Sequence, residues 1–323
     1  MKPELSVVIP VYGCGGCLRD LHRRLCLALD PLVDSFELIF VDDASRDEAW
    51  GTLTELTEQD SRVKAFGLSR NFGQDAAITA GLTRSAGRWT VVMDCDLQEP
   101  PEEIGRLYAK AQEGYQLVRT MRSRRGHSRF RRAMSRAYRR LSHDSDIEYS
   151  NMSLLSREVV DAFLTLHDRY REYTLILDWL GFRQAVVEIR FAKREDGRSS
   201  YSLGRLVRVA MDGMFFRTTL LLRLVVLLGV LVALAGAALA AYNVVYYFVA
   251  SQPLGYTSLV VLVLLSSGFI ILSVGIVGLY VGRVFEQVKF RPLFIISRSA
   301  GAGLEDDLTE TTPVPALAPR RTR

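Results

Sequence analysis

Short apolar runs alternate with helical periodicity through the amino-terminal part of the chain, and each run stops in polar or turn-forming residues. Residues 5–12 (Leu-Ser-Val-Val-Ile-Pro-Val-Tyr) read as a buried strand, stopped by Pro10 and the glycines at 13, 15 and 16. Leu18, Leu21, Leu25 and Leu29 then recur at helical spacing. Residues 36–41 form a second strand ending at Asp42-Asp43, and a helix carrying Leu53 and Leu56 leads to a third strand at 63–68. Ser69-Arg70-Asn71-Phe72-Gly73 follows, then a helix over 76–82 and a strand ending in acid. Strands that alternate with helices imply crossover connections and an α/β fold with a mainly parallel sheet. Ligands gather at the carboxyl ends of such strands. Here those ends carry Pro10 to Tyr12, Asp42 and Asp43, Arg70 and Asn71, and Asp94 and Asp96.

The last of these ends, Val91-Val92-Met93-Asp94-Cys95-Asp96-Leu97-Gln98-Glu99-Pro100-Pro101, holds the densest chemistry. Two carboxylates flank one residue, an amide lies two positions on, and two prolines fix the exit path. Oxygen-only donors at this density suit a hard divalent cation, Mg2+ or Mn2+. A cation held by one or two carboxylates completes its shell with substrate phosphates, so a nucleotide diphosphate is the natural partner. The alternative for so short a motif is a strand-end turn whose acids face water.

Four segments, 6–12, 41–47, 68–73 and 93–101, together resemble the family 2 inverting glycosyltransferases of GT-A fold. The likeness is to their polyprenyl-phosphate (dolichol-phosphate-like) branch, and it runs from about Leu5 to the end of a second apolar stretch. It implies a nucleobase and ribose pocket lined by Pro10, Val11, Tyr12, Val41 and Asp43. It also implies a metal on the diphosphate held by Asp94, Asp96 and Gln98, with Asp96 counted among the catalytic residues. Asn71 and Cys95 fall within the same motifs and are placed on the nucleotide-sugar surface, and Arg122 matches a family arginine near the diphosphate. Phe191-Ala192-Lys193-Arg194-Glu195-Asp196-Gly197-Arg198-Ser199-Ser200-Tyr201 matches a loop that closes over the phosphates, with Arg194 neutralising charge there. That loop has Ser200 where the family usually has lysine, leaving Arg198 or Lys193 to supply the charge. The segment 150–155 has Asn151 where the branch commonly carries an aspartate. A hydroxyl acceptor would need that acid as a base. A phosphate monoester does not, since its second pKa is about 6 and it is largely dianionic near neutrality. Asn151 is then expected to orient the acceptor.

Charge and cysteine usage bear on placement. Basic residues exceed acidic ones by 41 to 36, and many arginines cluster between Arg119 and Arg140. With Phe130, Met134, Tyr138 and Leu141 among them, the segment reads as a basic amphipathic helix suited to nucleic acid, to an anionic membrane face or to solvent. Two long apolar stretches, 224–250 and 258–281, favour the membrane over nucleic acid, since each can cross about 30 Å of hydrocarbon. Arg205, Arg208, Arg217 and Arg223 precede the first and Arg283, Lys289 and Arg291 follow the second. The positive-inside rule then puts the catalytic domain and both termini in the cytoplasm, with a multi-pass anchor in the inner (cell) membrane. Gly278-x-x-x-Gly282 offers a packing seam and, by itself, weak support for a homo-oligomer.

The expected organisation is a GT-A domain at 1–202, an interfacial helix at 203–219, a two-helix transmembrane hairpin at 220–290 and a cytoplasmic tail at 291–323, disordered after about 300. Cys14, Cys17, Cys26 and Cys95 are expected as reduced thiols, and Cys14-x-x-Cys17 has redox or half-zinc spacing with no second pair beside it. His22, His127, His143 and His167 show no ligand spacing, and Trp50, Trp89 and Trp179 suit core or rim packing. The expected activity is transfer of one sugar from a UDP- or GDP-linked donor to a polyprenyl phosphate. Two alternatives are a transferase acting on a lipid-linked saccharide hydroxyl, with Asp168, Glu172 or Asp178 as base, and a catalytically weakened membrane scaffold.

Overall fold

The computed structural model describes residues 2–122, 149–166, 168, 171–189, 227–231, 234, 236, 238, 242, 245, 256–289 and 291–302. The chain forms two compact units. Residues 1–139, 144–198 and 291–323 make the first, and residues 140–143 and 199–290 the second.

The first unit is built on an eight-stranded sheet in the order β7-β5-β6-β4-β1-β2-β3-β8. Its strands are β1 (Leu5–Val11), β2 (Phe36–Asp42), β3 (Val63–Leu68), β4 (Trp89–Val92), β5 (Leu117–Arg122), β6 (Tyr149–Ser156), β7 (Gln184–Ile189) and β8 (Ile296–Ala300). The pairs β1–β2, β1–β4, β2–β3 and β5–β7 are parallel, and β4–β6, β5–β6 and β3–β8 are antiparallel. The central strands are apolar on both faces because helices cover both. Val7, Ile9 and Val11 pack with α1 (Leu18–Leu29), α2 (Ala49–Gln59) and α4 (Ile104–Gln112) on one side. Val8, Ile39 and Val41 pack with α3 (Gln74–Arg84), α5 (Arg157–Thr165) and α6 (Tyr173–Leu180) on the other. The four leucines of α1 are all buried, as their spacing requires.

Several expectations are corrected. Arg119 and Arg122 belong to strand β5, not to a basic helix; residues 123–148 lie outside the described set. Strand pairing on both sides with β6 and β7 overrides the charge pattern, and Arg119 becomes fully buried. Its guanidinium stacks 3.4 Å from the centre of the Tyr149 ring, ion-pairs with Asp178 and donates to the Thr174 carbonyl at 3.2 Å. Trp89 is buried, whereas Trp179 is 74% exposed on α6 and packs in no core. The cysteines are not all thiols: Cys14 and Cys95, 81 positions apart, form a disulfide. They meet because β1 and β4 are paired neighbours, so the loop after one and the motif after the other share an edge.

Of the residues expected as tail, 291–302 are described, and they belong to the first unit. β8 pairs with β3, and Ser69 donates its backbone N–H to the Ile295 carbonyl at 2.9 Å. Arg298 lies across Gly67, where a Cβ would meet its Nε at 2.5 Å, so a larger residue there would push the arginine side chain aside.

Away from the sheet's carboxyl edge, His22 Nε2 lies 3.0 Å and Cys26 Sγ 3.7 Å from Asp60 Oδ2. Arg62 donates to the same carboxylate at 2.9 Å, to Asp30 at 2.7 Å and to Cys26 Sγ at 3.5 Å. Burial pushes the Cys26 thiol up to about 11, and with a guanidinium already seated on the cluster it is an ion-paired clasp between α1 and α2.

In the second unit, α7 (Tyr256–Val288) runs 33 residues, about 50 Å at an ordinary helical rise, and contains the expected stretch 258–281. Residues 227–231 are also helical, and a Cβ at Gly229 would lie 3.4 Å from the Phe269 ring. Several side chains of α7, most of 224–250 and all of 203–219 lie outside the described residues. Among the described residues alone, no helix is long and apolar enough to cross a membrane.

Candidate active site

The carboxyl ends of β1, β2, β3 and β4 converge, and each contributes residues anticipated above. Tyr12 follows β1 and is 52% exposed, while Pro10, Val11 and Val41 are buried in the strands. Asp42 closes β2 fully buried: Oδ1 accepts from the Ser45 N–H at 3.0 Å and Oδ2 from Arg298 Nη2 at 2.9 Å. Asp43 is also buried, and its two oxygens accept the backbone N–H groups of Phe72 at 2.7 Å and Gly73 at 2.8 Å. Gly73 has φ +99°, a geometry that favours glycine, so Asp43 shapes the turn that leads into α3. Burial raises the Asp43 carboxyl above its ordinary value, and the two N–H groups oppose that. Asn71 is exposed at the start of the same turn, with Arg70 stacked 4.0 Å over Phe72.

The D-x-D turn follows β4, with Asp94, Asp96 and Gln98 half-buried and Cys95 buried. Asp94 Oδ1 accepts from Gln74 Nε2 at 2.6 Å, and both its oxygens accept from Asn151 Nδ2 at 3.3 Å. Asp96 accepts from the backbone and the side-chain amide of Gln98, at 3.2 and 2.6 Å. Leu97 between them takes φ +59°, strained for a branched side chain, which turns Asp96 and Gln98 toward each other. Glu99 is buried behind the motif. It accepts from the Asp94 N–H at 3.2 Å, the Met152 N–H at 3.2 Å and the Ser150 hydroxyl, tying the motif to β6. Neither Glu99 nor Gln74 is legible in the sequence, since a lone acid beside two prolines and a lone amide opening a helix carry no spacing signal.

Electrostatics here favour a cation. Burial, then the neighbouring Glu99 charge, push the Asp94 carboxyl up to about 7, with Asp96 adding to the rise. Glu99 is itself raised by burial against its three donors. Three carboxyl groups crowded on one turn, two of them buried, fit a divalent ion that would relieve their mutual repulsion. Asp94, Asp96 and the Gln98 carbonyl oxygen are the hard oxygen donors on this turn that could hold such an ion.

Asn151 therefore reaches the Asp94 carboxylate across the sheet. The backbone of Arg122 ends β5 on the same sheet; its side chain lies outside the described residues, as do Arg194, Arg198 and Ser200. Of the alternative bases, Asp178 is ion-paired with Arg119 and Asp168 is exposed.

Comparison with known proteins bears on this arrangement. Residues 6–173 match the model of glycosyl transferase family 2. The chain is 35% identical to the uncharacterized glycosyltransferase YkcC of Bacillus subtilis, over 92% of this chain and 94% of the relative. It is 35% identical to the undecaprenyl-phosphate 4-deoxy-4-formamido-L-arabinose transferase of Yersinia enterocolitica, over 93% of this chain and 94% of that one. Among solved structures, the glucosyl-3-phosphoglycerate synthase of Mycobacterium tuberculosis overlays with a TM-score of 0.46 at 22% identity, covering 67% of this chain and 80% of that chain. The chain belongs to glycosyl transferase family 2 and is a glycosyltransferase of GT-A fold.

Proposed function

We propose that the protein transfers a single sugar from a UDP- or GDP-linked donor to a polyprenyl phosphate, with inversion at the anomeric carbon. The observation that carries this reading is the 35% identity, over nine-tenths of both chains, to transferases named for undecaprenyl phosphate. The site chemistry supports it. Asp94, Asp96 and Gln98 would hold Mg2+ or Mn2+, which when bound neutralises charge on the diphosphate leaving group. Tyr12, Val11, Pro10, Val41, Asp43 and Asn71 would flank the nucleoside, and Arg122, Arg194, Arg198 and Ser200 the phosphates. The acceptor phosphate, dianionic near neutrality, attacks in line without a protein base, so an amide at position 151 is compatible with turnover. Asn151 and Gln74 orient the Asp94 carboxylate, and Glu99 holds the turn that carries it.

The acceptor is a lipid, and the apolar stretches at 224–250 and 258–281, the latter within α7, would anchor the chain beside it. By the positive-inside rule the flanking arginines would put the catalytic unit on the cytoplasmic side of the cell membrane, where nucleotide sugars are made.

The test uses the full chain in detergent with Mn2+ or Mg2+, a panel of UDP- and GDP-sugars and undecaprenyl phosphate, with Asp96→Asn as control. A lipid-linked monosaccharide of the expected mass, absent with Asp96→Asn, supports the reading. Nucleotide release only with a saccharide acceptor, or donor binding without transfer, overturns it.

A further inference from the structure

Three cysteines gather where the metal motif meets the loop after β1. Cys95 is the middle residue of the D-x-D turn, 7% exposed, and is disulfide-bonded to Cys14 with a Cα–Cα separation of 6.5 Å. Cys14 is the first cysteine of Cys14-Gly15-Gly16-Cys17. A one-turn 3-10 helix (Gly15–Cys17) brings the second close, and the Cys17 N–H donates to the Cys14 carbonyl at 3.0 Å. Cys17 is a thiol and the N-cap of the twelve-residue helix α1. Cys14 and Cys17 are half-buried at the surface, and Cys95 lies beneath them.

We infer that Cys14, Cys17 and Cys95 form a thiol–disulfide exchange site that couples the metal motif to a dithiol reductant of the C-x-x-C class. Cys17 stands three residues from Cys14 at the start of α1 and, as its thiolate, is the nucleophile of the exchange. That thiolate attacks the Cys14 sulfur, the more accessible end of the bridge. A Cys14–Cys17 bond forms, the Cys14–Cys95 bond breaks, and Cys95 leaves with the electron pair and takes up the proton Cys17 released. An external dithiol then reduces the Cys14–Cys17 disulfide to two thiols and is itself oxidised to a disulfide. No atom or electron is left over at either step.

The exchange matters because the bridge is part of the motif's scaffold. While Cys95 is tied to Cys14, the turn bearing Asp94 and Asp96 is fixed to the loop bearing Tyr12 and Gly13, two walls of the same nucleotide site. Opening the bridge removes that constraint, and a less preorganised site binds more weakly. Disulfides in a cytosolic enzyme are usually transient and redox-sensing, which suits this position better than a purely structural role. The inference rests on the metal–nucleotide reading given above.

The experiment titrates full-length protein with Mn2+ and UDP, and separately with Mn2+ and GDP. Oxidised and dithiol-reduced samples are compared, with their disulfides assigned by peptide mass. Oxidised protein is expected to bind one nucleotide about tenfold more tightly than reduced protein, within the range of ordinary coupling between sites. Partial reduction is expected to trap a Cys14–Cys17 peptide, and Cys17→Ser to lose that species and slow reduction of the remaining bridge. Equal affinity in both states, absence of a Cys14–Cys95 peptide after oxidation, or wild-type reduction kinetics in Cys17→Ser would each overturn the inference. Failure of both nucleotides to bind in either state would instead overturn the metal–nucleotide reading, and the coupling with it.

Discussion

Arg298 donates from Nη2 to Asp42 Oδ2 at 2.9 Å, an ion pair joining positions 256 apart in the chain. Asp42 is fully buried at the end of β2, and Arg298 is 42% exposed and stacks 4.1 Å over Trp50. Removing the guanidinium leaves a buried carboxylate with only the Ser45 N–H described as a hydrogen-bond donor. Arg298→Ala is expected to cost about 2 kcal/mol of stability, below the full penalty for a buried pair because half of this one meets solvent. Chemical denaturation of the detergent-solubilised chain measures it, and a change under about 0.5 kcal/mol, the usual range of a surface substitution, refutes it.

The pH dependence of the metal-free protein follows from Asp94. Its carboxyl sits near 7 in the folded chain against an ordinary 3.8, so between those values the native protein holds a proton that the unfolded chain has released. Stability therefore falls as pH rises through that window. Asp43, Asp75 and Glu99 are raised in the same direction by burial. After chelation the denaturation midpoint should be lower at about pH 8 than at about pH 5.5, and Mn2+ should restore it chiefly at the higher pH. Asp94→Asn should flatten the difference; an unchanged slope in that variant refutes the assignment.

Glu99→Gln keeps the size of the side chain but turns one acceptor oxygen into a donor. Each oxygen of Glu99 now accepts from at least one group, Asp94 N–H on one side and Met152 N–H with the Ser150 hydroxyl on the other. Donor facing donor in a buried position should cost about 1–3 kcal/mol. Transfer should fall about tenfold or more, as the turn carrying Asp94 loses its brace. Wild-type kcat/KM in this variant would show that the brace is dispensable.

Asn151→Ala separates two roles. An amide that positions Asp94 should, when lost, lower kcat and raise the KM for the nucleotide sugar, by about tenfold in kcat/KM, and leave the KM for the lipid phosphate unchanged. The reverse split, with only the lipid KM raised, would put Asn151 on the acceptor.

Much of the catalytic sheet could be read from the chain because local signals and tertiary packing agree there. Strands β1, β2 and β4 are apolar runs closed by acids or glycines, β3 is closed by Ser69-Arg70-Asn71, and α1 between them buries what its spacing says it should. Where the signals are long-range, reading fails. Leu117–Arg122 carries the charges of a helix face, yet is a strand because β6 and β7 flank it. Ile296–Ala300 has five residues of mixed polarity and becomes a strand only because β3 offers an unpaired edge. The Cys14–Cys95 bond depends on two loops being neighbours, which no spacing of cysteines along the chain reveals.

The position of β8 sets an order on how the enzyme is made. Ribosomal synthesis delivers the first seven strands long before the eighth, with the whole of α7 in between. Until residues 296–300 emerge, β3 presents a bare edge and Asp42 waits without its arginine. A nascent chain halted before residue 296 would carry every residue of the D-x-D turn and still lack the strand that pairs with β3 and the arginine that meets Asp42. Completion of the sheet is thus a late event, and a stop ahead of residue 296 would leave it unfinished in an enzyme whose signature motifs are all intact.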